Sequence, residues 1–100
     1  MHGISIRYRY DGDEARWEAA VAGFVKAIDA DPEVAGKFHY RVNKAKDGNT
    51  RIHWGWWDTP ETVQTLQSRD YFKAFSGEVQ AMAGDSLSPV PLAEHVSTAS

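Results

Sequence analysis

The sequence contains no cysteine among its 100 residues. This absence excludes a disulfide scaffold, a thiolate zinc site and a cysteine nucleophile. Long apolar runs are missing too, since the longest, Ala19 to Val25, is far shorter than the roughly 20 residues that span a bilayer. Because Arg7 and Arg9 interrupt the only early apolar stretch, we expect no signal peptide. We therefore predict a cytoplasmic protein that does not enter a membrane.

The composition is that of a folded globular protein. Hydrophobic residues make up 42% of the chain, charged residues 25% and aromatic residues 12%. The length suits one domain, so we predict a single domain over residues 1–100, with a small polar tail at 97–100 that frays. A core of this size is adequate but small, which favours pairing with a second copy.

Hydrophobic periodicity predicts the element order β-α-β-β-α-β. Alternation with a period of two indicates strands, and apolar residues at spacings of three and four indicate helices. With right-handed crossovers this order gives a four-stranded antiparallel sheet with helices on one face, a ferredoxin-like plait. The predicted strands are 4–10, 37–46, 50–57 and 86–96, and the helices are 14–30 and 60–83, the second interrupted at 68–70. Asp13 and Thr59 are the expected helix caps.

The hairpin around Asp47-Gly48 allows two registers. The side that carries Phe38, Tyr40 and Val42 pairs either with His53, Gly55 and Trp57 or with Ile52, Trp54 and Trp56. We prefer the second register because it separates apolar from polar residues. It implies a three-residue loop with glycine in a left-handed conformation, and it buries Trp54 and Trp56 under the helices. The opposite face then carries Arg7, Arg9, His39, Arg41, Arg51, His53 and Trp57.

Charge is unevenly distributed along the chain. The four predicted strands hold seven of the 11 Lys and Arg residues but only one of the 14 acids, Glu94. The sheet face without helices is therefore predicted to be basic. That face is open to three interpretations: a solvated surface, an interface between two sheets of a dimer, or a site for an anionic ligand.

Few residues show a recognisable chemical arrangement. The segment Trp54-Gly55-Trp56-Trp57 is either an aromatic slot for a planar ring or simply core filling. His39 and His53 are expected to lie near one another across the hairpin, but two histidines without a third ligand predict no metal site. A P-loop, a GxGxxG motif and a Ser-His-Asp arrangement are all missing from the sequence.

The stretch from Trp57 through Asp58-Thr59-Pro60-Glu61 to the phrase from Ser68 to Phe75 resembles the antibiotic biosynthesis monooxygenase-like family of the dimeric α+β barrel superfamily. This resemblance implies a homodimer with two sheets packed face to face and a small-molecule cavity between sheet and helices. It also implies oxidation of a phenol, quinol or polyketide ring by O₂ without a cofactor. Trp57 would form a wall of the cavity.

Some family residues are replaced here. Leu66 stands where the family has a histidine, and Gly55 stands where it has a glutamate. The candidate catalytic residues are therefore His53, Tyr71 and Arg41, with His53 as a proton acceptor and Arg41 or Arg51 stabilising a phenolate. The candidate ligand-binding residues are Trp57, Trp54, His39 and Phe72. The resemblance places Trp57 under the helices, against the preferred register, and the sequence leaves this conflict open.

Two further functions compete with a cofactor-independent monooxygenase. One is a non-catalytic small-molecule-binding or structural dimer of the same fold, favoured by the missing family residues. The other is binding of single-stranded nucleic acid, because plaits of this topology stack bases on strand aromatics. The order of the aromatics in the third strand and the pI near 5.7 argue against that role, so no nucleic-acid partner is expected.

Overall fold

The computed structural model describes residues 1–99, and its elements follow the predicted order. The strands are β1 (His2–Arg9), β2 (Phe38–Lys44), β3 (Thr50–Trp57) and β4 (Ser88–Ala93), and the helices are α1 (Glu14–Ala30), α2 (Pro60–Gln67) and α3 (Asp70–Ala83). A 3-10 turn at Gly84–Ser86 precedes β4. In the predicted tail, residues 97–99 have no regular secondary structure, and Ser100 lies outside the described residues.

The strands form one antiparallel sheet in the order β2-β3-β1-β4. Its edge strand β4 contains Pro89 and Pro91, which pair with Ile6 and Ile4 of β1. Proline lacks the N–H that a central strand needs, so its confinement to an edge was expected. The helices cover one face, and the core forms between the two layers. The predicted ferredoxin-like plait is confirmed.

Aspartate side chains form hydrogen bonds at the starts of α1 and α2. Asp13 caps α1 as predicted, because its Oδ1 accepts a hydrogen bond of 2.9 Å from the amide of Ala15. Thr59 occupies the N-cap position of α2, but its side chain makes no capping bond. Asp58 supplies the acceptor instead, with Oδ1 at 2.7 Å from the Thr59 amide and 2.6 Å from the Thr62 hydroxyl. A carboxylate suits this position because it also meets the positive end of the helix dipole.

The preferred hairpin register is wrong, and the other one is observed. Phe38 pairs with Trp57, Tyr40 with Gly55 and Val42 with His53. The loop has four residues, 46–49, because the amide of Ala45 donates to the carbonyl of Thr50 at 2.8 Å.

The Asp47 carboxylate organises this longer loop. Its Oδ1 accepts from the amides of Asn49 at 2.8 Å and Thr50 at 2.9 Å, and its Oδ2 accepts from the Thr50 hydroxyl at 2.7 Å. These bonds lower the pKa of Asp47 to about 2. Gly48 does adopt the expected left-handed conformation, with φ at 90°.

This register exchanges the two faces of β3. Arg51, His53 and Trp57 lie on the helix side, whereas Ile52, Trp54 and Trp56 lie on the face without helices, which we call the open face. Trp54 and Trp56 stack there with ring centroids 5.6 Å apart. Beside them the edge strand exposes Val90 at 47% and Leu92 at 36%. The open face is thus a half-buried apolar strip flanked by Arg7, His39 and Arg41, and less basic than predicted.

Among residues 1–99, no helix combines the length and the apolar character needed to cross a membrane.

Candidate functional site

A cavity of about 250 Å³ lies between the sheet and helices α2 and α3. Strand alternation places the side chains of β1, β2 and β3 on its floor, and the amphipathic faces of α2 and α3 form its roof. No charged side chain is among the lining residues, which are Ile4, Ile6, Phe24, Phe38, Tyr40, Trp57, Val63, Leu66, Gln67, Phe72, Phe75, Ser76, Val79, Gln80, Leu87 and Pro89. Such a site suits an apolar, ring-shaped molecule.

Gly55 makes room for the aromatic floor of the cavity. A Cβ at this position would lie 3.1 Å from Cζ of Phe38, 3.4 Å from Cγ2 of Ile4 and 3.5 Å from Cδ1 of Tyr40. The space that Gly55 leaves by having no side chain is therefore occupied by neighbouring side chains. Phe38 uses part of it to stack on Trp57, with ring centroids 5.7 Å apart.

A chain of four polar side chains runs from the cavity wall into the core. The Tyr40 hydroxyl lies 2.6 Å from Nδ1 of His53, and Nε2 of the same imidazole lies 2.8 Å from the Tyr8 hydroxyl. The indole N–H of Trp17 donates to that hydroxyl at 2.7 Å. We call this set, Trp17, Tyr8, His53 and Tyr40, the polar relay. Of its members only Tyr40 lines the cavity.

Burial keeps the polar relay uncharged at neutral pH. His53 is 1% exposed, and desolvation lowers its pKa to about 4. The pKa values of Tyr8 and Tyr40 are raised, in both cases mainly by burial. The site therefore offers neutral hydrogen-bonding groups in apolar surroundings, where such bonds are stronger than in water.

The buried cation Arg51 serves the fold rather than the cavity. It is 1% exposed and forms an ion pair with Glu14 of α1. Its Nη2 also donates to the carbonyls of Tyr10 at 3.2 Å and Gly48 at 3.3 Å. The guanidinium carbon lies 4.3 Å from the centre of the Trp17 ring, a cation–π distance. Arg51 thus joins the β2–β3 hairpin to α1, and it does not line the cavity.

The three predicted catalytic residues do not come together. His53 lies under the helices, behind Tyr40. Tyr71 donates to Oδ2 of Asp31 at 2.8 Å, beside Arg69, and does not line the cavity. Arg41 is exposed on the open face opposite Trp54.

The predicted ligand-binding residues divide between the two sides of the sheet. Trp57 and Phe72 line the cavity. Trp54 and His39 lie on the open face instead, because the observed register turns them away from the helices. The conflict between register and resemblance is thereby resolved, with Trp57 under the helices.

Tyr40 is the residue of the site that sequence reasoning missed. Its place beside Phe38 and Val42 on the helix-facing side of the strand was predicted, but its partner His53 was assigned to the other side. Once the observed register is adopted, Tyr40 and His53 face the same layer on neighbouring strands. The signal that could have identified Tyr40 is therefore a tyrosine placed to hydrogen-bond a histidine on the neighbouring strand.

Among the described residues, no group of three or more His, Cys, Asp or Glu side chains is arranged to hold a metal ion.

The chain matches no protein-family model and no curated protein sequence. It is similar in structure to SnoaB, a cofactor-independent oxygenase from Streptomyces nogalater, with a TM-score of 0.77, 12% identity and coverage of 99% of this chain and 97% of that one. It is also similar to an antibiotic biosynthesis monooxygenase, with a TM-score of 0.67, 7% identity and coverage of 96% and 100%.

A third similar structure is a dimeric ferredoxin-like protein of unknown function from Thermobifida fusca, with a TM-score of 0.61, 16% identity and coverage of 94% and 92%. At these identities the likeness concerns the fold alone. The resemblance found in the sequence is confirmed at that level: this chain has the ferredoxin-like α+β fold of the antibiotic biosynthesis monooxygenase-like proteins.

Proposed function

We propose that this protein is a cofactor-independent monooxygenase that oxidises a small phenol or quinol with O₂ in the cavity under α2 and α3. The observation that carries the proposal is an apolar cavity whose wall presents Tyr40, held by buried His53. The fold shared with SnoaB, over almost the whole length of both chains, supports the same activity.

The size of the cavity limits the substrate. An engineered cavity of about 150 Å³ accepts benzene, so about 250 Å³ accommodates an aromatic compound of one or two rings. Trp57 and Phe72 are proposed contacts for the faces or edges of those rings. Larger polycyclic compounds would require α2 or α3 to move outward.

The electrons and atoms of the proposed reaction balance without a bound cofactor. A phenol that is converted to a quinone at its para carbon supplies all four electrons that O₂ takes up. One oxygen atom enters the ring and the other leaves as water, which also takes the two hydrogen atoms lost by the phenol. Reaction with O₂ requires an electron-rich phenolate. No lining side chain is a base, so the phenol must lose its proton to solvent before it binds, and the protein must stabilise the negative charge on the substrate oxygen.

Tyr40 is the proposed partner of that oxygen. Its hydroxyl can hydrogen-bond the substrate in apolar surroundings, and His53 fixes the hydroxyl from behind. His53 therefore acts through Tyr40 rather than as a proton acceptor in direct contact with substrate. Arg41 and Arg51, proposed from the sequence to stabilise the phenolate, lie away from the cavity wall.

Oxygen uptake by the purified protein tests the proposal. The substrate panel should contain one- and two-ring phenols and hydroquinones, with product masses measured in ¹⁸O₂. We expect one labelled oxygen atom in the quinone formed from a phenol, or in the hydroxyquinone formed from a hydroquinone, and a rate that falls in Tyr40→Phe. If no compound of the panel causes oxygen uptake at concentrations where it binds, the assignment as an oxygenase is contradicted.

A second candidate function is binding without catalysis. It is favoured by the lack of any charged side chain among the lining residues, since enzymes of acid–base type place an ionisable group in contact with substrate. The two functions differ in one measurement. A binding protein would retain the phenol unchanged under air, with a dissociation constant that is the same in the presence and absence of O₂.

The open face supports a homodimer as part of the same proposal. A strip formed by Ile52, Trp54, Trp56, Val90 and Leu92 is apolar enough to pack on a second copy of itself. The similar protein from Thermobifida fusca is described as dimeric. A cytoplasmic location also belongs to the proposal and is supported by the sequence alone.

A further inference from the structure

The polar relay has a direction that its hydrogen-bond donors determine. An indole nitrogen can only donate, so the Trp17 N–H supplies the hydrogen of its 2.7 Å contact with the Tyr8 oxygen. Tyr8 then has its own hydroxyl hydrogen left to donate. Its other hydrogen-bond partner among the described residues is Nε2 of His53, at 2.8 Å. Nε2 must therefore accept, and it carries no hydrogen.

The tautomer of His53 follows from this assignment. A neutral imidazole has one N–H, and with Nε2 accepting that hydrogen is on Nδ1. Nδ1 therefore donates to the Tyr40 oxygen at 2.6 Å. This is the opposite of the tautomer that histidine prefers in water, so the protein must impose it.

The reverse direction is disfavoured because it leaves the unpaired hydroxyl hydrogen on fully buried Tyr8 rather than on Tyr40, which is half-buried and lines the cavity. If Nε2 of His53 carried the hydrogen, it and the Trp17 indole would both donate to the Tyr8 oxygen. The hydroxyl hydrogen of Tyr8 would then be buried without an acceptor, since Tyr8 is 1% exposed. A buried donor without a partner loses its hydration and gains nothing in return.

The last hydrogen in the series belongs to Tyr40. Its oxygen accepts from His53, and no acceptor for its own hydroxyl hydrogen is found among residues 1–99. Tyr40 lines the cavity, so a ligand bound there is the candidate acceptor for that hydrogen. We propose that Trp17 is a positioning residue that makes Tyr40 a hydrogen-bond donor to the cavity, which consequently selects aromatic ligands with an acceptor oxygen, such as a phenolate or a quinone carbonyl. The ligand class rests on the proposed function, whereas the direction of the relay does not.

Nitrogen NMR of the ligand-free protein tests the direction. With ¹⁵N-labelled histidine at pH 7, we expect His53 to show a pyrrole-type Nδ1 and a pyridine-type Nε2, assigned by their loss in His53→Gln. A pyrrole-type Nε2 in the wild-type protein would overturn the proposal before any variant is made.

The role of Trp17 is tested by removing its N–H. In Trp17→Phe we expect the His53 signals to shift toward the Nε2–H tautomer, and an unchanged spectrum would overturn the assignment to Trp17. Trp54→Phe is the matched control, since Trp54 lies on the open face, and it should leave the tautomer as it is. If Trp17→Phe does not fold, 3-benzothienylalanine at position 17 keeps the ring shape with sulfur in place of N–H.

Paired ligands test the ligand class separately from catalysis. Naphthoquinone and naphthalene have similar shapes, but only the quinone has acceptor oxygens. One additional hydrogen bond corresponds to about tenfold tighter binding of the quinone, and Tyr40→Phe should abolish that difference. Equal binding to the wild-type protein would overturn the ligand class. Failure of oxygenation with the expected tautomer and the expected quinone preference would contradict the proposed enzyme alone.

Discussion

The Nδ1 atom of His53 lies 2.6 Å from the hydroxyl oxygen of Tyr40, and this contact connects the buried polar relay to the cavity. The two residues lie on neighbouring strands, and their rings meet edge to face with centroids 5.6 Å apart. Phe24 and Phe75 pack against Tyr40 from the helices. The hydroxyl is thus fixed by packing as well as by a hydrogen bond, which is what a substrate-positioning group requires.

Tyr40→Phe separates the chemistry of the site from its packing. The ring contacts remain, but Nδ1 of His53 loses its partner, so we expect the free energy of unfolding to fall by about 1–3 kcal/mol. Loss of a hydrogen bond to developing negative charge should lower kcat by about 10²–10³-fold. Urea unfolding and oxygen uptake measure the two effects.

Tyr10→Phe is the control for this variant. It also removes a hydroxyl, which is part-buried and donates to the Asp13 carbonyl at 3.0 Å, but Tyr10 does not line the cavity. We expect a comparable loss of stability with kcat unchanged. Equal losses of activity in both variants would show that Tyr40 acts only through the fold.

The stability of the protein should depend on pH through His53. Its pKa is lowered from 6.5 to about 4 by burial, and the groups that face it are the neutral side chains of Tyr8, Tyr40 and Phe75. Above pH 6.5 the imidazole is neutral in the folded and unfolded states, so the free energy of unfolding has its full value. Between pH 6.5 and 4 the unfolded chain binds a proton that the folded chain does not. The free energy of unfolding should therefore fall by about 3 kcal/mol over this range.

Unfolding experiments from pH 7 to pH 4.5 distinguish His53 from the carboxyl groups. The pKa values of Asp31 and Asp58 are also lowered, by hydrogen bonds from Arg69 and Thr62 respectively, but the ordinary value of an aspartate is 3.8. Their contribution is therefore lost mainly below the range that His53 controls, and that of Glu14, whose pKa is lowered from 4.5 mainly by its hydrogen bond with Arg51, begins to be lost only near the lower end of that range. The slope between pH 6.5 and 4.5 should flatten in His53→Gln, and an unchanged slope would assign it to other groups.

The helices and the order of elements along the chain could be predicted because their signals are local. Asp13 before an apolar period, Pro60 at a helix start and prolines in an edge strand each act within a few residues. The register of the hairpin depends on contacts between distant residues. His53 forms a hydrogen bond with Tyr8, and Arg51 forms an ion pair with Glu14. The alternation of residues within β3 predicts neither partner.

The candidate site could be predicted only in part for the same reason. Trp57 was placed at the cavity through the family resemblance, whereas apolar matching assigned that place to Trp54. Both faces of β3 carry tryptophan, because one face packs under the helices and the other forms the open face. When both faces of a strand are apolar, polarity does not fix the register. In this hairpin the register is fixed by the loop, which the Asp47 carboxylate organises.

Gly55→Ala should crowd the floor of the cavity. The added methyl group would meet Cζ of Phe38 at 3.1 Å, so the ring must move. Overpacking of this kind costs about 1–3 kcal/mol of stability, and it should also weaken binding of two-ring ligands more than of one-ring ligands. Gly23→Ala is the control, since a Cβ there meets nothing within 4 Å. Because Gly23 lies within α1, that change should stabilise the protein by about 0.5–1 kcal/mol.

The open face makes a prediction about solution mass. Trp54 stacks on Trp56 in the middle of the apolar strip, and an apolar patch at the centre of a two-fold interface meets its own copy. We expect a dimer by light scattering for the wild-type protein and a monomer for Trp54→Glu, because each subunit would then place an unpaired carboxylate in the interface. Ala22→Glu adds the same charge on the exposed side of α1 and should leave the dimer intact. A wild-type monomer at micromolar concentration would refute the homodimer while leaving the cavity and the polar relay, both contained within one chain, unaffected.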